Sequence, residues 1–164
     1  MLVCLVASSV LAFTYKITNP LIISRKQNEE KQALKSVLSS AEDFKEEKGH
    51  YTGYKNKRLS GYVLKIQAKG YSAPIEILVG IDSKGIIQGI IILDQKETPG
   101  LGAKISEIKY GEKNPWFLNQ FKGKQTVDLD FLKINAITGA TISSYAVLSA
   151  VKNKITEFMK HISD

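Results

Sequence analysis

Cysteine, histidine and arginine are nearly missing from this sequence. Cys4 stands alone among 164 residues, which excludes an intramolecular disulfide, a cysteine-ligated iron–sulfur cluster and a Cys-rich zinc site. His50 and His161 are far apart with polar neighbours, and no H-E-x-x-H occurs, so each reads as a plain surface residue and no metal site is expected. The formal net charge is +7, yet Arg25 and Arg58 are the only arginines. Phosphate and base-edge readers use arginine forks on clustered basic faces, so nucleic-acid binding is not expected. A diffuse lysine excess fits a domain beside an anionic membrane or an acidic partner.

Charge is also missing from the first fifteen residues. Met1 to Tyr15 is apolar apart from Ser8, Ser9, Thr14 and Tyr15. Fifteen helical residues span about 22 Å, short of the roughly 30 Å hydrocarbon core. The helix can run on through Lys16, whose ammonium snorkels, and stop before Pro20. The run reads first as a membrane anchor, the remnant of a longer single span. A cleavable signal peptide, with Val10-Leu11-Ala12 as cleavage site, and a buried core helix remain alternatives. Cys4 belongs to this run as a small apolar side chain.

The rest reads as an α+β domain. A helix is expected from about Gln27 to Ser40, capped by Asn28, with Ala33, Leu34, Val37 and Leu38 as its apolar stripe. Ala41 to Arg58 is polar and reads as a loop or connector. Strands follow at Gly61–Ala68, Pro74–Ile81 and Gly85–Leu93, the last two joined by an Asp82-Ser83-Lys84-Gly85 hairpin turn. Both of those runs are mostly apolar, so the sheet is covered on both faces or nearly so. Thr126 to Leu132 alternates and reads as a half-buried strand, with Val127, Leu129 and Phe131 inward and Asp128 and Asp130 outward. A helix from about Ser143 to His161 buries Val147, Val151, Ile155 and Phe158. Strands and helices are segregated, which is the α+β pattern. The expected division is an anchor over 1–19, a helix and connector over 20–58 and the main domain over 59–164.

Several chemical motifs fail on inspection. Gly123-Lys124-Gln125 lacks the hydroxyl and upstream glycine of a P-loop, and Gly100-Leu101-Gly102 has Ile105 where a dinucleotide fingerprint needs its third glycine. Two segments remain. In Glu97-Thr98-Pro99-Gly100-Leu101-Gly102-Ala103-Lys104, Pro99-Gly100 fits the middle of a type II turn, and Gly102 permits a second reversal or a close approach to a ligand. In Asn135-Ala136-Ile137-Thr138-Gly139-Ala140-Thr141-Ile142-Ser143-Ser144, four hydroxyls surround Gly139 and Ala140 directly before a helix. Free N–H groups at a helix start favour a phosphate, although Ser143 or Ser144 as an ordinary cap explains the same pattern.

T-G-A-T followed by I-S-S, with E-T-P-G-L-G upstream, resembles the FMN-binding domain of the G subunit of Rnf electron-transport complexes. The C subunit of the sodium-translocating NADH:quinone reductase shares that domain. The likeness extends through Gly70-Tyr71-Ser72-Ala73-Pro74-Ile75, Val79 to Asp82, Pro115-Trp116-Phe117 and Gln120-Phe121, essentially the whole chain. It implies an FMN-binding domain with a mainly antiparallel sheet and flanking helices, preceded by an N-terminal transmembrane helix. It implies FMN bound covalently by a phosphoester to the last threonine of the motif, Thr141. A flavin transferase would install it, so the chain is that enzyme's substrate and carries no catalytic residue of its own. Thr138, Gly139, Ala140, Ile142 and Ser143 would shape the attachment loop, and Glu97, Thr98, Pro99, Gly100, Leu101, Gly102 and Lys104 would line the flavin edge. Tyr110, Trp116 and Phe117 are candidates to pack on the flavin or in the core.

The implied role is a flavoprotein subunit relaying electrons in an ion-translocating ferredoxin:NAD oxidoreductase. Its partners would be other membrane subunits and the transferase. It would be a single-pass protein of the cell membrane with its domain on the extracytoplasmic side. One departure stands out: the transferase motif usually opens with Asp, and Asn135 occupies that place, keeping an acceptor and losing the charge. A stand-alone cell-surface FMN reductase and a flavin-free assembly subunit are the rival readings.

Overall fold

The computed structural model describes residues 14–16, 18–19, 28–47, 49–112 and 114–163. The chain divides into two units, residues 1–33 and 34–164. In the first, residues 14–16 and 18–19 are helical. The expected anchor lies mostly outside the described residues. No helix among the described residues is long and apolar enough to cross a membrane. Residues 28–37 are helical (α1), so Asn28 lies within the helix instead of capping it.

The second unit is built on a five-stranded antiparallel meander in the order β1-β2-β3-β4-β5. Its strands are β1 (Asp43–Glu47), β2 (His50–Lys55), β3 (Arg58–Lys69), β4 (Pro74–Asp82) and β5 (Ile87–Asp94). β3, β4 and β5 match the apolar runs. β1 and β2 overturn the loop expected over 41–58. β1 is a sheet edge with mostly exposed side chains, so its sequence carries no inward–outward alternation, and pairing with β2 holds it. The β4–β5 turn is as expected. Gly85 has φ +77° and donates its N–H to Asp82 O, while Asp82 Oδ1 accepts the N–H groups of Lys84 and Ile86.

Alternation along the strands splits the apolar residues between two faces. Leu64, Ile66 and Ala68 of β3 and Ile75, Ile77, Val79 and Ile81 of β4 join one core. The helix α3 (Thr141–Ser163) covers that face with Val147, Leu148, Val151 and Ile155. The other face is closed by Leu34, Val37, Leu38 and Ala41, all buried. Two paired glycines make that closure possible. Gly80 and Gly89 are opposite one another in the β4–β5 register, and a Cβ on either would strike the backbone of Val37. Sheet covering on both faces is therefore as the apolar runs imply.

Among the described residues of 95–140 the regular elements are short helices: 3-10 turns at Gly102–Ser106 and Thr126–Asp128, and α2 (Trp116–Asn119). The strand expected over Thr126–Leu132 does not form. Asp128 accepts the N–H of Gln125 in a capping box, and Asp130 Oδ1 accepts the N–H of Leu132. These local bonds give the backbone a turn in place of a ladder. Leu129 is buried, while Val127 is exposed. His50 is not the plain surface residue expected. It is half-buried, in edge contact with Phe158 at 4.8 Å and Tyr62 at 6.1 Å, and its Nε2 lies 3.3 Å from Glu47 Oε2. His161 is exposed.

Candidate functional site

Two glycine turns meet at the start of α3. The first is the expected type II turn: Leu101 N–H donates to Thr98 O at 3.2 Å, and Gly100 has φ +74°. The second spans Ile137 to Ala140, with Ala140 N–H donating to Ile137 O at 2.9 Å and Gly139 at φ +78°. Both need a left-handed third residue, which glycine adopts without strain.

The helix begins at Thr141, and its first ladder bond runs from Ser144 N–H to Ala140 O. Ala140 has no side-chain acceptor, so neither serine serves as the ordinary cap. Ser144 instead sews the turn to the helix, accepting the N–H of Ile137 at 3.1 Å and donating to Ala140 O at 2.9 Å. The N–H groups of Thr141, Ile142 and Ser143 thus have no acceptor in the helix, and the positive end of the helix dipole is open. Thr141 is exposed.

Ser143 has a different task. Its hydroxyl donates to Glu97 Oε2, and both residues are buried. Glu97 also accepts the N–H groups of Tyr71 at 3.2 Å, Ser72 at 2.8 Å and Ala73 at 3.2 Å. One carboxylate therefore joins three segments: residues 71–73, the loop after β5 and the first turn of α3. Burial pushes its pKa up, but the Ser143 hydroxyl and the three N–H groups favour the charged form more, and the net value lies below the usual glutamate range. Gly102 completes the junction. A Cβ there would lie 2.5 Å from Glu97 Oε2 and 2.8 Å from Ser143 Oγ. The close approach expected at Gly102 is thus to the protein's own carboxylate.

Around this junction is a pocket of about 380 Å³. Glu97, Thr98, Leu101 and Gly102 line it from one side, and Gly139, Ala140, Thr141, Ile142 and Ser143 from the other. The volume is in the range of small-molecule sites. Of the residues expected from sequence, Thr138, Pro99, Gly100 and Lys104 are not in its lining. Tyr71 is in the lining, although the two motifs do not single it out; its signal is the Gly70-Tyr71-Ser72-Ala73-Pro74-Ile75 stretch of the resemblance. A larger hollow at the β2–β3 hairpin tip, lined by Lys55, Asn56, Arg58, Leu59 and Ser60, is remote from both motifs in sequence.

The aromatic candidates fall outside the pocket. Phe117 is fully buried, Trp116 packs against the core with Lys109 Nζ 4.5 Å from its ring, and Tyr110 is fully exposed. Asn135 has an exposed side chain, and its backbone is bracketed by Gln120, which accepts its N–H at 2.8 Å and donates to its carbonyl at 3.1 Å. No group of three or more potential metal ligands occurs among the described residues.

An open helix start, an exposed hydroxyl and apolar walls define a site for a phosphate-bearing organic cofactor. Comparison with known proteins names that class. Residues 70–156 match the FMN-binding domain. The chain is similar to the G subunit of the proton-translocating ferredoxin:NAD(+) oxidoreductase complex of Clostridium ljungdahlii, at 30% identity over 94% of this chain and 85% of that one. It is also similar to the G subunit of the ion-translocating oxidoreductase complex of Methanosarcina acetivorans, at 32% identity over 92% and 86%. The crystal structure of the C subunit of Na(+)-translocating NADH-quinone reductase from Parabacteroides distasonis superposes with a TM-score of 0.55 and 25% identity, over 70% of this chain and 62% of that one. The chain thus spans about three fifths of that structure. This protein belongs to the FMN-binding domain family and, within it, to the G subunits of Rnf-type complexes.

Proposed function

We propose that this chain is the flavoprotein subunit of an ion-translocating ferredoxin:NAD oxidoreductase of the Rnf type, and that it holds FMN covalently through Thr141. Membership in the G-subunit group supports the electron-relay role. The exposed Thr141 hydroxyl at the uncapped start of α3, inside the pocket, carries the covalent assignment. FMN, when bound, supplies reversible electron uptake and release.

The residues present fit this group. Thr141 offers the oxygen for a phosphoester. The N–H groups of the first turn and the helix dipole offset the negative charge of that linkage. Gly139 and Ala140 line the pocket beside the threonine, Gly139 with no side chain to fill it, and Leu101 and Ile142 present apolar walls. Glu97 has its oxygens occupied by four donors, so its charge is spent on joining the segments.

Maturation requires a flavin transferase acting on the loop of Thr138, Gly139 and Ala140. The apolar residues of 1–19 anchor the chain in the cell membrane by a single pass, with the domain on the extracytoplasmic side, where covalent attachment prevents loss of the flavin. A stand-alone reductase would need convergent cationic groups for its own acceptor, and neither arginine nor histidine is in the pocket lining. Co-expression with a transferase tests the assignment: a fluorescent band should survive denaturing electrophoresis and vanish in Thr141→Ala. A band that persists in that variant overturns the site.

A further inference from the structure

Tyr71 is an exposed aromatic held by a buried charge. Its side chain is 69% exposed. Its backbone is nonetheless fixed, because Glu97 accepts the N–H of Tyr71 and of the next two residues. Ser72 Oγ and Thr98 Oγ1, 3.3 Å apart, add a second tie to the facing loop. Three donors converging on one buried carboxylate hold the position of an otherwise solvent-facing bend.

Tyr71 shares the pocket with two other large apolar residues kept in solvent. Leu101 is 47% exposed and Ile142 57% exposed, and all three are in the lining around Thr141. Apolar surface left in water at one concave site is surface that a ligand can cover. The other exposed aromatics of the second unit are placed differently. Phe131 and Tyr145 satisfy each other at 4.4 Å between ring centres, and neither they nor Tyr110 are in the lining.

Resting on the covalent-FMN reading above, we propose that Tyr71 is the aromatic wall for the isoalloxazine ring, its place set by Glu97. A phenol facing a planar, electron-poor ring packs by offset or edge contact. It also quenches flavin emission, because the excited flavin accepts an electron from the phenol and returns it.

The test uses the full chain co-expressed with a flavin transferase. FMN loading is read by intact mass, and emission per bound flavin is read in the native state and again in urea. Wild-type emission should rise several-fold on denaturation. Tyr71→Leu should be several-fold brighter than wild type in the native state, and Tyr71→Phe should also brighten, since phenylalanine keeps the ring but is hard to oxidise. Tyr71→Trp should stay dark, and Tyr110→Leu and Tyr145→Leu should match wild type. Loaded Tyr71→Leu and Tyr71→Phe proteins as dark as wild type overturn the assignment, as does brightening in Tyr145→Leu alone. A wild-type chain that gains no FMN mass overturns the covalent reading and Tyr71's role with it. A loaded chain whose emission ignores Tyr71 overturns only the latter.

Discussion

The Ser143 hydroxyl donates to the carboxylate of Glu97, a residue 46 positions earlier in the chain. This contact brings the two motif segments into one site. Removing the carboxylate by Glu97→Ala leaves three backbone N–H groups and a buried hydroxyl without their acceptor. The expected loss is about 2–4 kcal/mol, since bonds to a charged acceptor are strong and orphaned donors are costly. Urea denaturation of the two proteins measures it, and a loss below about 0.5 kcal/mol would mean that the junction is not structural.

The same carboxylate gives a pH signature. Its folded pKa lies below the ordinary value despite burial, because four donors favour the charged form. A depressed carboxyl stabilises the fold above its unfolded pKa of about 4.3, and that stability is lost as pH falls through the lower folded value. Glu97→Gln has no such titration. Its stability deficit against wild type should be full near neutrality and shrink as pH falls below about 4. A deficit that stays constant over that range would show that the charge is not involved.

Two glycine substitutions should separate fold from site. In Gly80→Ala the new methyl meets the backbone of Val37, which has no room to yield against the sheet. Overpacking there should cost about 3 kcal/mol or prevent folding. In Gly102→Ala the methyl would sit 2.5 Å from Glu97 Oε2 and 2.8 Å from Ser143 Oγ. That variant should keep the sheet, lose about 1–3 kcal/mol and load flavin poorly. Thermal melts together with flavin content per chain distinguish the two outcomes.

Asn135→Asp supplies the charge with which, on the family resemblance, a transferase motif would open here. The Asn135 side chain is exposed and its backbone is held by Gln120, so stability should change by less than about 0.5 kcal/mol. Flavin incorporation over a time course with transferase should be faster than in wild type. Equal rates would show that this position does not limit recognition.

Much of this arrangement is legible in the sequence, and the exceptions have physical causes. β4 announces itself because both of its faces are buried, and β5, although only Ile87 and Ile90 are buried in it, because of its isoleucine run. Gly100 is readable as a turn residue beside Pro99, whereas the turn at Gly139 is not, since the hydroxyls around it suggest only a helix start. β1 is not readable, because an exposed edge strand carries charge on both sides. Thr126–Leu132 has the alternation of a strand, but the carboxylates of Asp128 and Asp130 bond the nearby backbone. Glu97 falls in the site on sequence grounds, yet its role as a junction depends on backbone donors of residues 71–73, which the Gly70–Ile75 stretch of the resemblance marks without giving them a role. Tyr71 lies in that stretch too, but what assigns it to the pocket is the buried carboxylate that holds its N–H.

The central claim, FMN on Thr141, is tested most directly by mass. The full chain, co-expressed with a flavin transferase, should gain the mass of FMN less one water. The gain should map to the peptide containing Thr141 and be absent from Thr141→Ala. The same gain in the alanine variant, or its location on any other peptide, would contradict the account.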